Sequence, residues 1–149
     1  MRYVVPILVL GLTVGCGRPS PLDVATERPA SAPTAGPSDD EAVLYTAALR
    51  DLLKDTPDGD GTYVWVGGRD PSADLMRRFQ ARWTKLRPAT GMPADGYRIN
   101  FTAIRRPGPA RADVRAESYA GGSGSWLVFH LAEKGGGWEV AELSGEDVP

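Results

Sequence analysis

The chain has 149 residues, 42% of them hydrophobic and 24% charged, with 18 Gly, 13 Pro and a formal charge of −2. That balance fits one modest domain and excludes a fibrous chain or a field strong enough to gather nucleic acid. A single His and a single Cys exclude an intrachain disulfide and most metal centres, so no cofactor is expected.

At the N-terminus, Arg2 precedes an apolar run from Tyr3 through Val14 and then a small residue, Gly15. This reads as a signal peptide over residues 1–15, too short for a membrane-spanning helix, which needs ~20 apolar residues. The segment Leu12-Thr13-Val14-Gly15-Cys16 resembles the lipobox of bacterial lipoproteins, with Thr13 in place of the usual Leu. The resemblance implies lipidation of the Cys16 thiol, palmitate among the acyl chains, cleavage before Cys16, and a lipid-anchored place in the bacterial cell envelope. Gly17 rather than Asp after the cysteine implies the outer membrane if the source is diderm. From residue 16 to 39 the composition turns to Pro, Ala, Ser and Thr, with Leu22 and Val24 as the only bulky apolar residues. Such a stretch cannot bury enough surface to offset its chain entropy and reads as a disordered tether, up to ~70 Å if extended.

One domain is expected over residues 40–149. Ser38-Asp39-Asp40-Glu41 has capping-box spacing, and Ala42, Tyr45, Leu49 and Leu52 follow at helical period until Pro57-Asp58-Gly59. Thr62 to Gly67 reads as a short strand. A second helix starts at Asp70-Pro71, buries Met76, Phe79, Trp83 and Leu86, and stops at Pro88. Four strands then run as a meander. A four-residue turn at Pro107 to Ala110 sets Phe101 opposite Ala116, Ala103 opposite Val114 and Ile99 opposite Ser118 on one face, and Asn100 opposite Glu117 on the other. A second four-residue turn, Gly121 to Gly124, adds Leu127, Phe129 and Leu131 to the same buried face. The last turn, Lys134 to Gly137, fits either parity. The fold class is therefore α+β, two helices on a curved antiparallel sheet.

Ala112-x-Val114, Tyr119, the Gly-rich turn, Trp126 to Leu131 and Gly137-Trp138-Glu139-Val140, following helix, strand and helix, resemble the cone-shaped domains of the nuclear-transport-factor-like superfamily. That resemblance implies a pocket between sheet and helices, in a superfamily that holds isomerases, cyclases, dehydratases and plain binding domains. None of its catalytic positions carries over. A cystatin-like helix on sheet is the alternative fold.

His130 is the one imidazole. The expected register sets it opposite Arg115 and beside Glu117, with Tyr119 and Trp126 further along the face, a grouping that could serve acid–base chemistry if helices cover it. Ser123 and Ser125 show no spacing to an Asp–His relay. Asp55 to Gly61 fails the EF-hand spacing and reads as a solvated acidic turn, and the Gly121 to Gly124 stretch lacks the donors of a phosphate loop. Eleven Lys or Arg against four Asp between Arg69 and Arg115 suit an anionic partner such as phospholipid headgroups or an acidic glycan. The expected function is a binding or accessory module on the cell envelope, with the membrane and an unknown small molecule or protein as partners. The alternatives are an isomerase or hydro-lyase using His130 and Glu117, and a protein-interaction or immunity-like inhibitor domain built on Tyr119 and Trp126.

Overall fold

The computed structural model describes residues 28–29 and 38–148. The signal peptide, Cys16 and all of the tether span except Arg28, Pro29, Ser38 and Asp39 lie outside the described residues. The elements in order are β1 (Arg28–Pro29), α1 (Asp39–Leu52), β2 (Thr62–Val66), α2 (Ala73–Gln80), β3 (Arg87–Pro88), β4 (Tyr97–Gly108), β5 (Arg111–Ala120), β6 (Ser123–Lys134) and β7 (Gly137–Val148). The architecture is α+β, with two helices on one face of an open, mostly antiparallel sheet of order β3-β2-β4-β5-β6-β7. β2 runs parallel to both of its neighbours, which the expected meander did not include. Two residues of the tether span, Arg28 and Pro29, lie antiparallel to Ile104 and Ala103 on β4, beyond the end of β2.

The first helix forms as its sequence dictates. Glu41 N–H donates to Ser38 Oγ at 3.2 Å and Ser38 N–H to Glu41 Oε2 at 3.0 Å, satisfying two donors that a helix end leaves orphaned. Tyr45 is fully buried and its ring meets Phe101 at 4.8 Å between centroids, a pair that stabilises by about 0.5–1.5 kcal/mol beyond its burial. Burial first, and the Glu41 charge second, push the Tyr45 hydroxyl well above its ordinary pKa.

The second helix is shorter than its apolar period suggests. Ser72, not Asp70, caps it through Leu75 N–H, and it ends at Gln80. Trp83 and Leu86 stay buried because the chain keeps turning after the helix, Trp83 N–H donating to Phe79 O and Leu86 N–H to Trp83 O. This segment is tied to the acidic turn through Lys85 N–H on Asp58 O. Gly59, at φ +73°, lets Trp83 Cβ approach within 3.0 Å of where its own Cβ would stand.

The strand register confirms the buried face and corrects its details. Phe101 faces Ala116, Ile99 faces Ser118 and Asn100 faces Glu117 as expected, but the connecting turn is only Pro109-Ala110, closed by Gly108 opposite Arg111. Two β-bulges on β4 absorb the difference. One falls between Arg105 and Gly108, where Pro107 has no N–H for the ladder. The other falls between Phe101 and Ala103, where β4 exchanges β2 for β1 as neighbour, so Ala103 faces Arg115 and Ile104 takes the place opposite Val114. The next turn is also two residues, Gly121 and Gly122 at φ +56° and +95°, the backbone that a tight hairpin requires. Its register differs from the expected one by two residues: Phe129 faces Val114 and Leu127 faces Ala116. A shift of two preserves the face. β7 turns Trp138 and Val140 toward the core and bulges between the partners of His130 and Leu131.

Phe101, Val114, Ala116 and Phe129 are all fully buried in one core with Leu131. Ala116→Leu is expected to overpack this layer and lower unfolding free energy in urea by on the order of 1–3 kcal/mol, against about 0.5 kcal/mol or less for Val128→Leu on the opposite face. The reverse ranking would mean that the faces are inverted.

Candidate functional site

Both helices pack on the face that carries Phe101 and Phe129, so among the described residues no helix covers the other face of the sheet. Across it the ladders align two rows at the end near the Gly121-Gly122 turn: Tyr63, Arg98, Tyr119 and Gly124, then Trp65, Asn100, Glu117 and Trp126. Glu117, Tyr119, Trp126 and His130 thus share one face, as the sequence suggests. The helices cover the opposite one, so these four do not line a pocket between sheet and helices.

The aromatic end is built in layers of contact. Trp65 is fixed by its indole N–H, which donates to Asp70 Oδ1 at 3.0 Å, and the same oxygen accepts Thr90 N–H at 2.9 Å. Burial raises the Asp70 pKa, but the hydrogen bonds from Thr90, Trp65 and Ala89 outweigh it and hold the carboxyl below its ordinary value. The Arg98 guanidinium lies 4.5 Å from the Trp65 ring centroid and 5.2 Å from that of Tyr119, a cation between two π faces. Beside it, Asn100 is buried, accepts Gly68 N–H on its Oδ1 at 2.9 Å and donates through Nδ2 to Glu117 Oε2 at 3.2 Å. Tyr119 remains 37% exposed and Trp126 49% exposed.

His130 sits further along β6, and its neighbours differ from those expected. The two-residue register shift sets it opposite Asp113 rather than Arg115. Its Nδ1 is 2.9 Å from Asp113 Oδ1 and its Nε2 is 3.1 Å from Ser144 Oγ. Glu117 is engaged instead by Asn100 and pairs across the ladder with Trp126, so His130 and Glu117 do not form an acid–base couple. The Asp113, His130, Ser144 line has the order of a nucleophile relay. Ser144, however, stands in mid-strand on an exposed stretch of β7 rather than on a sharp turn or a helix N-terminus that would aim spare N–H groups at an oxyanion. The line therefore ties three strands together and fixes the imidazole.

Two other sequence candidates resolve into local structure. In the acidic turn, Asp58 and Asp60 both face Lys85 Nζ, at 2.8 and 3.5 Å, and Asp58 Oδ1 accepts Asp60 N–H. The Lys85 ammonium holds the Asp58 carboxyl below its ordinary pKa. Gly121 and Gly122 make the hairpin turn described above. An open cleft of about 480 Å³ lies between Tyr63, Gln80, Thr84 and the 86–91 segment, with Arg87 as its charged group.

Arg98 was not legible as a site residue, because its wall Trp65 arrives on a parallel strand 33 positions earlier, and nothing in local spacing announces that contact. Ser144 was not legible either, since the parity of its strand is open in the sequence.

The lowered Asp70 pKa contributes stability that is present above the ordinary carboxylate range and lost as pH falls through the folded value. Asp70→Asn is therefore expected to be less stable than the parent at pH 7 and to shift the Trp65 indole resonance, with the stability gap closing below about pH 3.9. A gap that stays constant with pH would contradict this role. No protein-family model, curated protein or solved structure matches the chain.

Proposed function

We propose that this chain is a non-enzymatic binding module of the bacterial cell envelope, anchored through lipidated Cys16 and binding through the open face of its sheet. The observation that carries the reading is the exposure of Tyr119 and Trp126 on a face over which no helix of the described residues lies, beside an Arg between two rings. The helix-covered face is closed by Tyr45, Phe79, Phe101 and Phe129, each fully buried. The order of helix, strand, helix and long antiparallel strands supports the nuclear-transport-factor-like reading of the fold, with its ligand surface moved from the inner to the outer face. His130 on the open face gives the isomerase or hydro-lyase alternative no enclosed site.

The path of β1 sets where the chain joins the sheet. Arg28 lies opposite Ile104 and Pro29 opposite Ala103, so the chain joins the sheet from the side of the Pro109-Ala110 turn. The aromatic rows, at Asn100 and Arg98, lie four to six residues back along β4 from Ile104, about 13–20 Å at ~3.3 Å per residue.

The test combines the anchor with the face. Wild-type chain is expected to sediment with membranes and Cys16→Ser to be unprocessed or soluble. Hydroxyl-radical labelling of Tyr119 and Trp126 is expected to be slower in the membrane-held wild type than in purified domain, with Val43 on α1 labelled equally in both. Membrane retention of Cys16→Ser would contradict the anchor, and equal labelling of Trp126 would contradict the binding face.

A further inference from the structure

The guanidinium of Arg98 is held on both sides and satisfied at neither edge. Trp65 and Tyr119 flank it, and among the described residues it makes no hydrogen bond or ion pair. Its diagonal neighbour Glu117 would be the natural counter-ion, but that carboxylate takes the Asn100 amide, which the Gly68 N–H in turn fixes by its oxygen. The Glu117 carboxylate is thus engaged elsewhere while Arg98 lies between two rings. A stacked guanidinium retains its in-plane N–H donors, and the planar fork matches a carboxylate in two parallel bonds.

What surrounds the fork indicates what carries the carboxylate. Trp126 and Tyr119 expose ring surface on the same face, and the residue opposite Tyr119 on β6 is Gly124, which has no side chain. Between the two indoles stands the hydrogen-bonded Asn100–Glu117 pair. Single aromatic rings separated by amide and carboxylate groups do not make the contiguous apolar core that a protein interface needs. They do suit a pyranose, which has an apolar C–H face to lie on a ring and hydroxyls around its rim. A linear phospholipid headgroup is disfavoured because it offers no ring face to lie on Trp126 and Tyr119. Nucleic acid is disfavoured by Glu117, Asp113 and Glu142 on the same face.

We infer that Arg98, Tyr119 and Trp126 form a receptor for a carboxylate-bearing saccharide, with the carboxylate in the Arg98 fork and sugar rings on Trp126 and Tyr119. The inference rests on the open face being the binding face and names the ligand class for it. Tyr119 and Trp126 set the platform, and Arg98 selects the acid.

The test uses the chain without its signal peptide, carrying Cys16→Ser, titrated with a disaccharide that carries one uronic acid and with its methyl ester, which keeps the sugar and caps the carboxylate. Indole resonances and calorimetry give location and affinity. The free acid is expected to bind about tenfold or more tighter than the ester, the scale of a charge-assisted hydrogen bond. Arg98→Gln is expected to abolish that preference, Arg98→Lys to retain part of it, and Trp126→Ala to weaken both probes by about tenfold. Trp126 is exposed enough for its loss to leave the fold intact, and matched thermal unfolding of each variant checks this. Equal binding of acid and ester, no binding of the acid, or a preference that survives Arg98→Gln would overturn the inference. If the acid fails to bind while Trp126 stays protected on membranes, the ligand class is wrong and the binding face stands. If both fail, the face itself is wrong.

Discussion

Covering a sheet on one side only divides each strand into residues that must be apolar and residues that are free to do something else. In this chain α1 and α2 both lie on the face that carries Phe101, Val114, Ala116 and Phe129, and the stack of Tyr45 on Phe101 fixes the first helix to the middle of it. Alternation along each strand then forces Asn100, Glu117, Trp126 and His130 to the other side. A single-residue slip anywhere in β5 or β6 would bury those polar groups and expose the aromatic core. The two bulges on β4 and the two-residue turns are the devices by which the chain accommodates Pro107 and tight hairpins without such a slip.

The open face inherits its organisation from that constraint. With no helix above them, its side chains are ordered laterally instead. Asp70 holds Trp65, Trp65 and Tyr119 hold Arg98, Gly68 and Glu117 hold Asn100, and Asp113 and Ser144 hold His130. Lateral ordering of this kind presents side chains at a surface, which is the physical ground for proposing a binding module. The same absence of cover leaves the Asp113, His130, Ser144 line without the water-excluding walls and aimed N–H groups that would turn it into a nucleophile.

Size complementarity across the β4–β5 pair made part of this legible in the sequence, because Phe101 needs a small partner and Ala116 is one. The capping box at Ser38 and Glu41 was legible for a similar reason, since two residue types at fixed spacing satisfy each other's backbone. Parity could not distinguish a four-residue turn from a two-residue one at Gly121, as both keep Phe129 inside, and His130 was therefore matched with Arg115 instead of Asp113. The end of α2 was hidden because Phe79, Trp83 and Leu86 keep a helical spacing after the chain has left the helix. β1 and β3, two residues each and both containing proline, carry no pattern that could announce them. Arg98 looked like one cation in a basic stretch until the parallel pairing of β2 with β4 brought Trp65 beside it.

The division of the sheet into a covered and an open face is tested most directly by single-cysteine labelling along β5 and β6 in a Cys16→Ser background, where any added thiol is the only one. Arg115→Cys, Glu117→Cys, Trp126→Cys and Val128→Cys are expected to react with a maleimide at rates near that of an exposed thiol. Val114→Cys, Ala116→Cys and Phe129→Cys are expected to be strongly protected in the folded state and to react only on unfolding. Fast labelling at 114 and 116 with protection at 115 and 117 would contradict the account, because the aromatic platform would then be facing the helices.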